Sequence, residues 1–321
     1  LMKIIHRNDD ITQLVTSYTW SGDYKQAARK LEFGVAASPH DYYLPKAYIE
    51  LGDIVRLIND DGKELFQGYV FSKEKSTSGT EIQVTAYDGL IYLLKRKGTY
   101  NFRNMTPEAI TKRLCKDFVM QAGSIANTGI ALNRIFDGES IYSIIMTAYT
   151  LASKRNGKKY IPKMENGKLN VIEKGKTISQ YILDGESNLT DSTYSESIES
   201  MINRVRMYDK NGREIGRVEN ANWIRKYGML QDVYKKEDNV NANTAAKSML
   251  KGIEKTAKIE GLGNNDCITG NAVKIKEPYT GLVGLFYIDN DEHTWQDGQH
   301  TMKLGLSFQN MMDAREGGEN K

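Results

Sequence analysis

The residue types that carry most enzyme chemistry are sparse here and poorly spaced for it. The four histidines, His6, His40, His293 and His300, give no metal-ligand spacing. His293 and His300 flank a polar hairpin tip and read as exposed or structural. Asp289-Asn290-Asp291 has the opening of a calcium loop, but the required Gly and terminal Glu are missing, so it reads as a turn. Gly261-Leu262-Gly263 lacks the third glycine and the preceding strand of a dinucleotide site. Neither a Walker loop nor a Gly-x-Ser-x-Gly elbow is present. Asp191, Glu196 and Glu199 could be drawn as paired carboxylates, yet they lie in a Ser/Thr/Glu-rich connector that reads as solvated. Cys115 and Cys267 are far apart, which argues against a disulfide framework or a metal cluster. The expectation is a non-enzymatic protein with no catalytic residues, no metal and no cofactor.

Composition narrows the partners. The chain has 321 residues, 40% hydrophobic and 26% charged, enough for two or three domains with real cores. A net charge of +3 is too mild to indicate nucleic-acid specificity. The clusters Lys95-Arg96-Lys97 and Lys154-Arg155 read as solvated loop charges. No stretch reaches the roughly 20 apolar residues of a membrane helix, and no signal-peptide pattern opens the chain. Synthesis in the cytoplasm without membrane insertion is expected. Nineteen tyrosines suit β structure and interaction surfaces.

The elements that must position everything else are short alternating strands. Near the end, Gly270-Asn271-Ala272-Val273-Lys274-Ile275-Lys276 is followed by Leu282–Ile288 and Thr301–Phe308. Near the start, Gly52–Ile58 is followed by Leu65–Phe71 and Glu81–Tyr87. In each set a Gly (Gly52, Gly270) opens one strand and a second (Gly68, Gly284) sits inside the next, where it suggests a bulge, a barrel corner or close backbone approach. The fold class is therefore expected to be α+β and β-rich, with two similar small antiparallel β-barrel modules. Residues 1–97 form the first. Within it Leu31, Phe33 and Val35 share one strand face and Ile82, Val84 and Ala86 another. Ser38-Pro39 marks a turn before Tyr42–Pro45, Asp60-Asp61-Gly62 a hairpin turn, and Leu90–Leu94 a short helix.

Residues 98–190 read as an α+β insert. Thr106-Pro107-Glu108 starts a helix, with Ile110, Leu114 and Phe118 on one face. A second helix follows Asp137-Gly138, with Ile141, Ile144, Ile145, Ala148 and Leu151 inward. Tyr160–Ile172 is a hairpin around Asn166-Gly167. Residues 191–312 form the second, discontinuous module. It holds a hairpin around Asn211-Gly212 and is interrupted by a helix over 243–258. Residues 313–321 read as a flexible tail. The long polar hairpins, Ser72 to Gly79 and Asp289 to Gly298, are the candidate interface elements, with Ser72, Lys73, Glu74, Lys75, Asp289, Asn290, Asp291 and Trp295 as candidate contacts. Trp295 either meets a neighbour or folds back on its own barrel.

Several ordered segments carry a family resemblance. Trp20-Ser21-Gly22-Asp23 precedes Arg29-Lys30-Leu31-Glu32-Phe33, then Leu51-Gly52-Asp53-Ile54-Val55 and Leu65-Phe66-Gln67-Gly68. Tyr227-Gly228-Met229-Leu230-Gln231, the helix after Asn243 and His300-Thr301-Met302-Lys303-Leu304 follow. In that order they resemble the central tail hub (baseplate hub) proteins of contractile phage tails, prophage tail-like particles and R-type bacteriocins. The insert carries least of the resemblance. What it implies is a structural virion component: a homotrimer whose two modules per chain make a ring of pseudo-six-fold symmetry. That ring would join the hexameric tail tube protein to the trimeric spike protein, beside the baseplate wedge proteins. The alternatives are a cell-wall or glycan-binding module of a tail and a wall-degrading enzyme.

Overall fold

The computed structural model describes residues 2–37, 43–44, 46–76, 80–237 and 241–319. The Ser38-Pro39 turn, most of the Tyr42–Pro45 segment and the tip of the Ser72–Gly79 hairpin lie outside the described residues. Chain contacts define two compact units, residues 193–257 and the remainder.

The larger unit is organised by one strand of 15 residues, Leu282–Gln296. Its first part pairs antiparallel with Asn271–Glu277, and its last part pairs antiparallel with Val15–Asp23. On its other edge lies Gln299–Ser307, joined to it by the turn at Asp297-Gly298. From Val15–Asp23 the sheet continues through Gln26–Ala36, Glu81–Asp88, Glu64–Lys75, Ile54–Ile58 and Lys3–His6. The β-rich α+β class is as the sequence indicates. The two strand sets differ from expectation in one respect: the described ladders form one open, branched sheet rather than two closed rings. The long strand joins the two sets, its first part pairing in the second set and its last part in the first.

The alternation seen in sequence is what fills the core. Leu31, Phe33, Val35, Val55, Leu57, Val84 and Ala86 are buried together with Trp20 and Trp295. Burying a side chain of this size contributes about 1.5–3 kcal/mol. The Asp60–Gly62 turn, the Leu90–Lys95 helix and the Asn166-Gly167 hairpin form where their local signals place them.

The helices of the insert also start at their caps. Thr106 Oγ1 accepts from Ala109 N ahead of Pro107–Asp117, and Ser140 caps Ile141–Asn156 by accepting from Ser143 N. The second helix is buried on nearly every side rather than on one face. Its neighbours include Ala28, Leu90, Leu93 and Met312, so the insert shares a core with strands and helix from residues 1–97. Residues 313–319 are docked, contrary to the expected loose tail. Tyr142 Oη donates to Asp313, Arg134 Nε donates to Gly317 O, and Ile135 and Glu319 exchange both backbone hydrogen bonds.

In the smaller unit, Arg204–Tyr208 lies between antiparallel Glu214–Glu219 and parallel Gln231–Lys235. Val205 and Met207 pack on Ala246. The helix expected over 243–258 spans only Ala242–Met249, capped by Asn241, and Glu254–Leu262 is a strand. Leu250 turns extended, Lys251 bridges Ile202, and Gly252 follows, so the apolar spacing outlasts the helix.

Candidate functional site

A cluster of buried charged and polar side chains lies where the long strand crosses the first strand set. Its cause is one bulge. Before it, Phe286 and Ile288 face inward; after it, Asp291, His293 and Trp295 do. The register against Gln299–Ser307 slips between Ile288 and Asn290, leaving Asp289 as the extra residue. Because side chains alternate with period two, one inserted residue exchanges the faces of everything beyond it. An acid and a histidine are thereby turned into the core.

Their partners come from three other segments. Arg29 offers both terminal nitrogens to Asp291, at 2.9 and 2.5 Å. Thr269 donates to Asp291 Oδ1 through its backbone N–H and its hydroxyl, each at 2.6 Å. The guanidinium of Arg29 lies 4.0 Å above the Trp20 ring. Burial alone would raise the Asp291 pKa, but the Arg29 charge and hydrogen bonds outweigh it and hold the carboxyl below its ordinary range. His293 Nε2 sits 3.1 Å from Cys267 O, an obligate acceptor, so this nitrogen carries the proton. Nδ1 then accepts from His300 Nε2 at 3.1 Å. Burial, with help from Arg29, pushes the His293 pKa down despite Asp291. Burial and the neighbouring His293 push His300 down to about 4. The two histidines are structural, and His293 is fully buried.

Trp295 folds back on its own sheet, stacked 5.1 Å from Tyr18 and 4.0 Å from His300. Neither it nor Asp291 can be an interface contact through its side chain, because both are buried. Asp289–Asp291 is a bulged strand and not a turn. Asp289 receives Tyr24 N on its carbonyl at 2.9 Å and the buried Lys174 ammonium on its carboxylate at 2.8 Å. Asn290 is exposed at the backbone kink, its amide lying against Gly305. Ser72, Glu74 and Lys75 are exposed on the end of Glu64–Lys75, and Lys73 Nζ donates to Ile49 O at 2.8 Å.

The framework glycines divide. A Cβ on Gly68 would lie 2.5 Å from the Tyr87 carbonyl and 2.4 Å from the Phe66 ring, so close approach is its reason. Gly284 has open space around it and a φ of +134, so backbone conformation, not packing, requires glycine there. Gly52 and Gly270 also have positive φ, and Gly270 additionally faces Ile161.

Beside the junction, Trp20, Arg29, Asp88, Asn265 and Thr269 line part of a cleft of about 350 Å³. Burial pushes the Asp88 carboxyl up to about 7, against its hydrogen bond from Leu90 N and the charge of Arg29. Sequence reasoning missed Asp88 and Arg29. The signal for Arg29 was the Trp20-to-Arg29 segment, where a charge recurs on an otherwise apolar face. The chemistry of this arrangement is that of a lock. The Cys267 thiol is pushed up to about 12 by burial and is no nucleophile. Among the described residues no group of three His, Cys, Asp or Glu side chains could hold a metal.

Comparison with known proteins follows the fold. A family model described as YQBQ-like matches residues 18–307. YqbQ of Bacillus subtilis strain 168 is 31% identical over 312 residues, 93% of this chain and 94% of the relative. XkdQ, a protein of the phage-like element PBSX in the same organism, is 28% identical over 96% of this chain and 97% of its own. Among solved structures, the 43 kDa tail protein of prophage MuSo2 from Shewanella oneidensis has a TM-score of 0.70 at 15% identity, covering 95% of this chain and 97% of that one. A tail protein from Neisseria meningitidis MC58 has a TM-score of 0.67 at 15% identity, covering 98% and 99%. At those identities the likeness is one of fold, and it runs nearly end to end. The resemblance to prophage tail proteins carried by the sequence is upheld, and the chain belongs to the YQBQ-like family.

Proposed function

We propose that this protein is a structural, non-enzymatic hub of a contractile phage tail or tail-like particle. Three copies form a ring of pseudo-six-fold symmetry that seats the tube on one side and the spike on the other. The observation that carries the reading is the near full-length sharing of fold with tail proteins, one of them from a prophage. The spliced sheet supports it further: two strand sets of like design sit in one chain, held in a fixed relation by a single strand and its buried Arg29–Asp291 lock. A symmetry adapter needs that rigidity, since closure of a ring multiplies any error in the angle between modules. The reading as a glycan-binding module loses its strongest residue, because the Trp295 ring is occupied by Tyr18 and His300.

The test is electron microscopy of the purified protein mixed with the tube and spike proteins of the same particle, classified without imposed symmetry. Three-fold rings with a six-lobed outline, capped by tube density on one face, are expected. Monomers that bind neither protein would overturn the hub assignment. Clearing of purified cell walls by the protein would overturn its non-enzymatic part.

A further inference from the structure

The outer face of the three-stranded sheet in the smaller unit breaks a rule of sheet stability. Val205 and Met207 face the helix Ala242–Met249, so Arg204, Arg206 and Tyr208 face the other way. Strand register sets three residues in each row of that face. Glu219, Arg204 and Gln231 form the first row, and Arg217, Arg206 and Val233 the second. Glu214, Tyr208 and Lys235 form the third. The middle row places two arginines directly opposite each other, an arrangement that costs stability. Local compensation is incomplete. Glu219 is held at 2.8 Å by Arg204 and reaches Arg217 only at 3.4 Å. Glu214 is 3.8 Å from Arg206. Arg206 Nε is shielded from water and has no hydrogen-bond partner among the described residues. The face thus holds four cations against two acids, with Arg217 exposed and Arg206 and Val233 only partly so.

We propose that this sheet face docks an acidic segment of a partner protein, whose carboxylates enter between Arg206 and Arg217. Two facing guanidiniums supply parallel N–H donors that match carboxylate geometry. Conflict between a local stability rule and the native sequence is expected at functional positions. A protein partner is favoured over nucleic acid by the composition of the grid. Glu214 and Glu219 interrupt the positive field that a phosphate backbone would follow, while Val233, Tyr208 and the neighbouring exposed Ile215 and Met229 offer apolar and aromatic contact of the kind protein interfaces use. The inference does not depend on the hub reading, and its assay needs no particle.

The experiment measures fluorescence anisotropy of labelled hexaglutamate with the full chain at low and moderate salt. Arg206→Glu/Arg217→Glu serves as the charge-reversed variant and Arg206→Gln as a neutral control. Saturable binding that weakens at least tenfold in the reversed variant is expected. The Arg206→Gln melting temperature should be unchanged or higher, since a like-charge pair is relieved. Equal binding by wild type and reversed variant, or no binding, would overturn the proposal. So would a loss of several degrees in Arg206→Gln, which would make the arginine structural. Tighter binding of an oligothymidylate than of hexaglutamate, abolished by the same reversal, would assign the face to nucleic acid and overturn it too.

Discussion

Replacing Arg29 with Met tests the lock at the crossing of the two strand sets. Methionine approximates the length of the aliphatic stem but removes both the guanidinium that lies over Trp20 and the charge that offsets Asp291, whose side chain is fully buried. Breaking a buried ion pair by deleting one partner costs about 3–5 kcal/mol, because the remaining charge is left uncompensated. The two hydrogen bonds from Thr269 remain, which places the cost towards the low end. For a unit of this size, roughly 2 °C of melting temperature accompanies each kcal/mol, so a fall of about 6 °C is expected. The pH dependence carries the sharper signature. In the wild type the Asp291 pKa is depressed, so its contribution is present above the ordinary carboxylate range and lost as pH falls through the folded value. Without Arg29, burial dominates and raises that pKa. The variant's folded state then takes up a proton more readily than the unfolded chain, and its deficit shrinks as pH falls from 7 towards 4. Asp88 shifts in the same direction, since Arg29 also faces it. The assay is thermal unfolding of wild type, Arg29→Met, Asp291→Asn and the double variant across that pH range. The double variant should recover much of the single loss. A deficit under about 1 kcal/mol at pH 7, or one that does not change with pH, would refute the lock.

Three further outcomes follow from the same structure. Asp88→Asn keeps an acceptor for Leu90 N and removes a carboxyl held at about 7, so the fall in wild-type stability between about pH 4 and pH 7 should flatten; an unchanged slope in the variant's melting curve would reject the assignment. The gain at pH 8 is bounded at about 4 kcal/mol. Gly68→Ala should lose about 1–3 kcal/mol in chemical denaturation, because the Tyr87 carbonyl cannot move aside as a side chain could; unchanged unfolding would show the site to be open. Ending the chain at Met312 should cost about 1–3 kcal/mol and speed hydrogen exchange at Ile135, whose backbone N–H donates to Glu319; exchange at the wild-type rate would mean that the terminal segment is not held there.

Legibility in the sequence followed the range of the interactions. The helix start at Thr106, the helix that follows Asp137-Gly138, the Asn166-Gly167 and Asn211-Gly212 hairpins and the inward faces of Leu31–Val35 and Ile82–Ala86 depend on neighbours within a few residues, and they were legible, though the Ser140 cap itself was not. The pairing of the long strand with Val15–Asp23 joins segments at opposite ends of the chain, and no local pattern announces it. The bulge at Asp289 was hidden for a related reason. Asp291, His293 and Trp295 alternate as an inward face would, but two of the three are polar, and only Arg29, Thr269 and Cys267 explain why the core accepts them. The helix after Asn241 was drawn too long because Leu250 and Ile253 keep helical spacing into a bridge and a strand. The terminal segment looked loose from its glycines and charges, yet its hold on the insert runs through backbone groups and Asp313, Arg315 and Glu316, to which composition is blind.

Where the protein sits in an assembled particle tests the central claim most directly. Tails isolated from cells that express a gold-labelled copy of this chain should carry label at one end of the tube, at three copies per particle. Tails that lack the chain, or label spread along the length of the tube, would contradict the account.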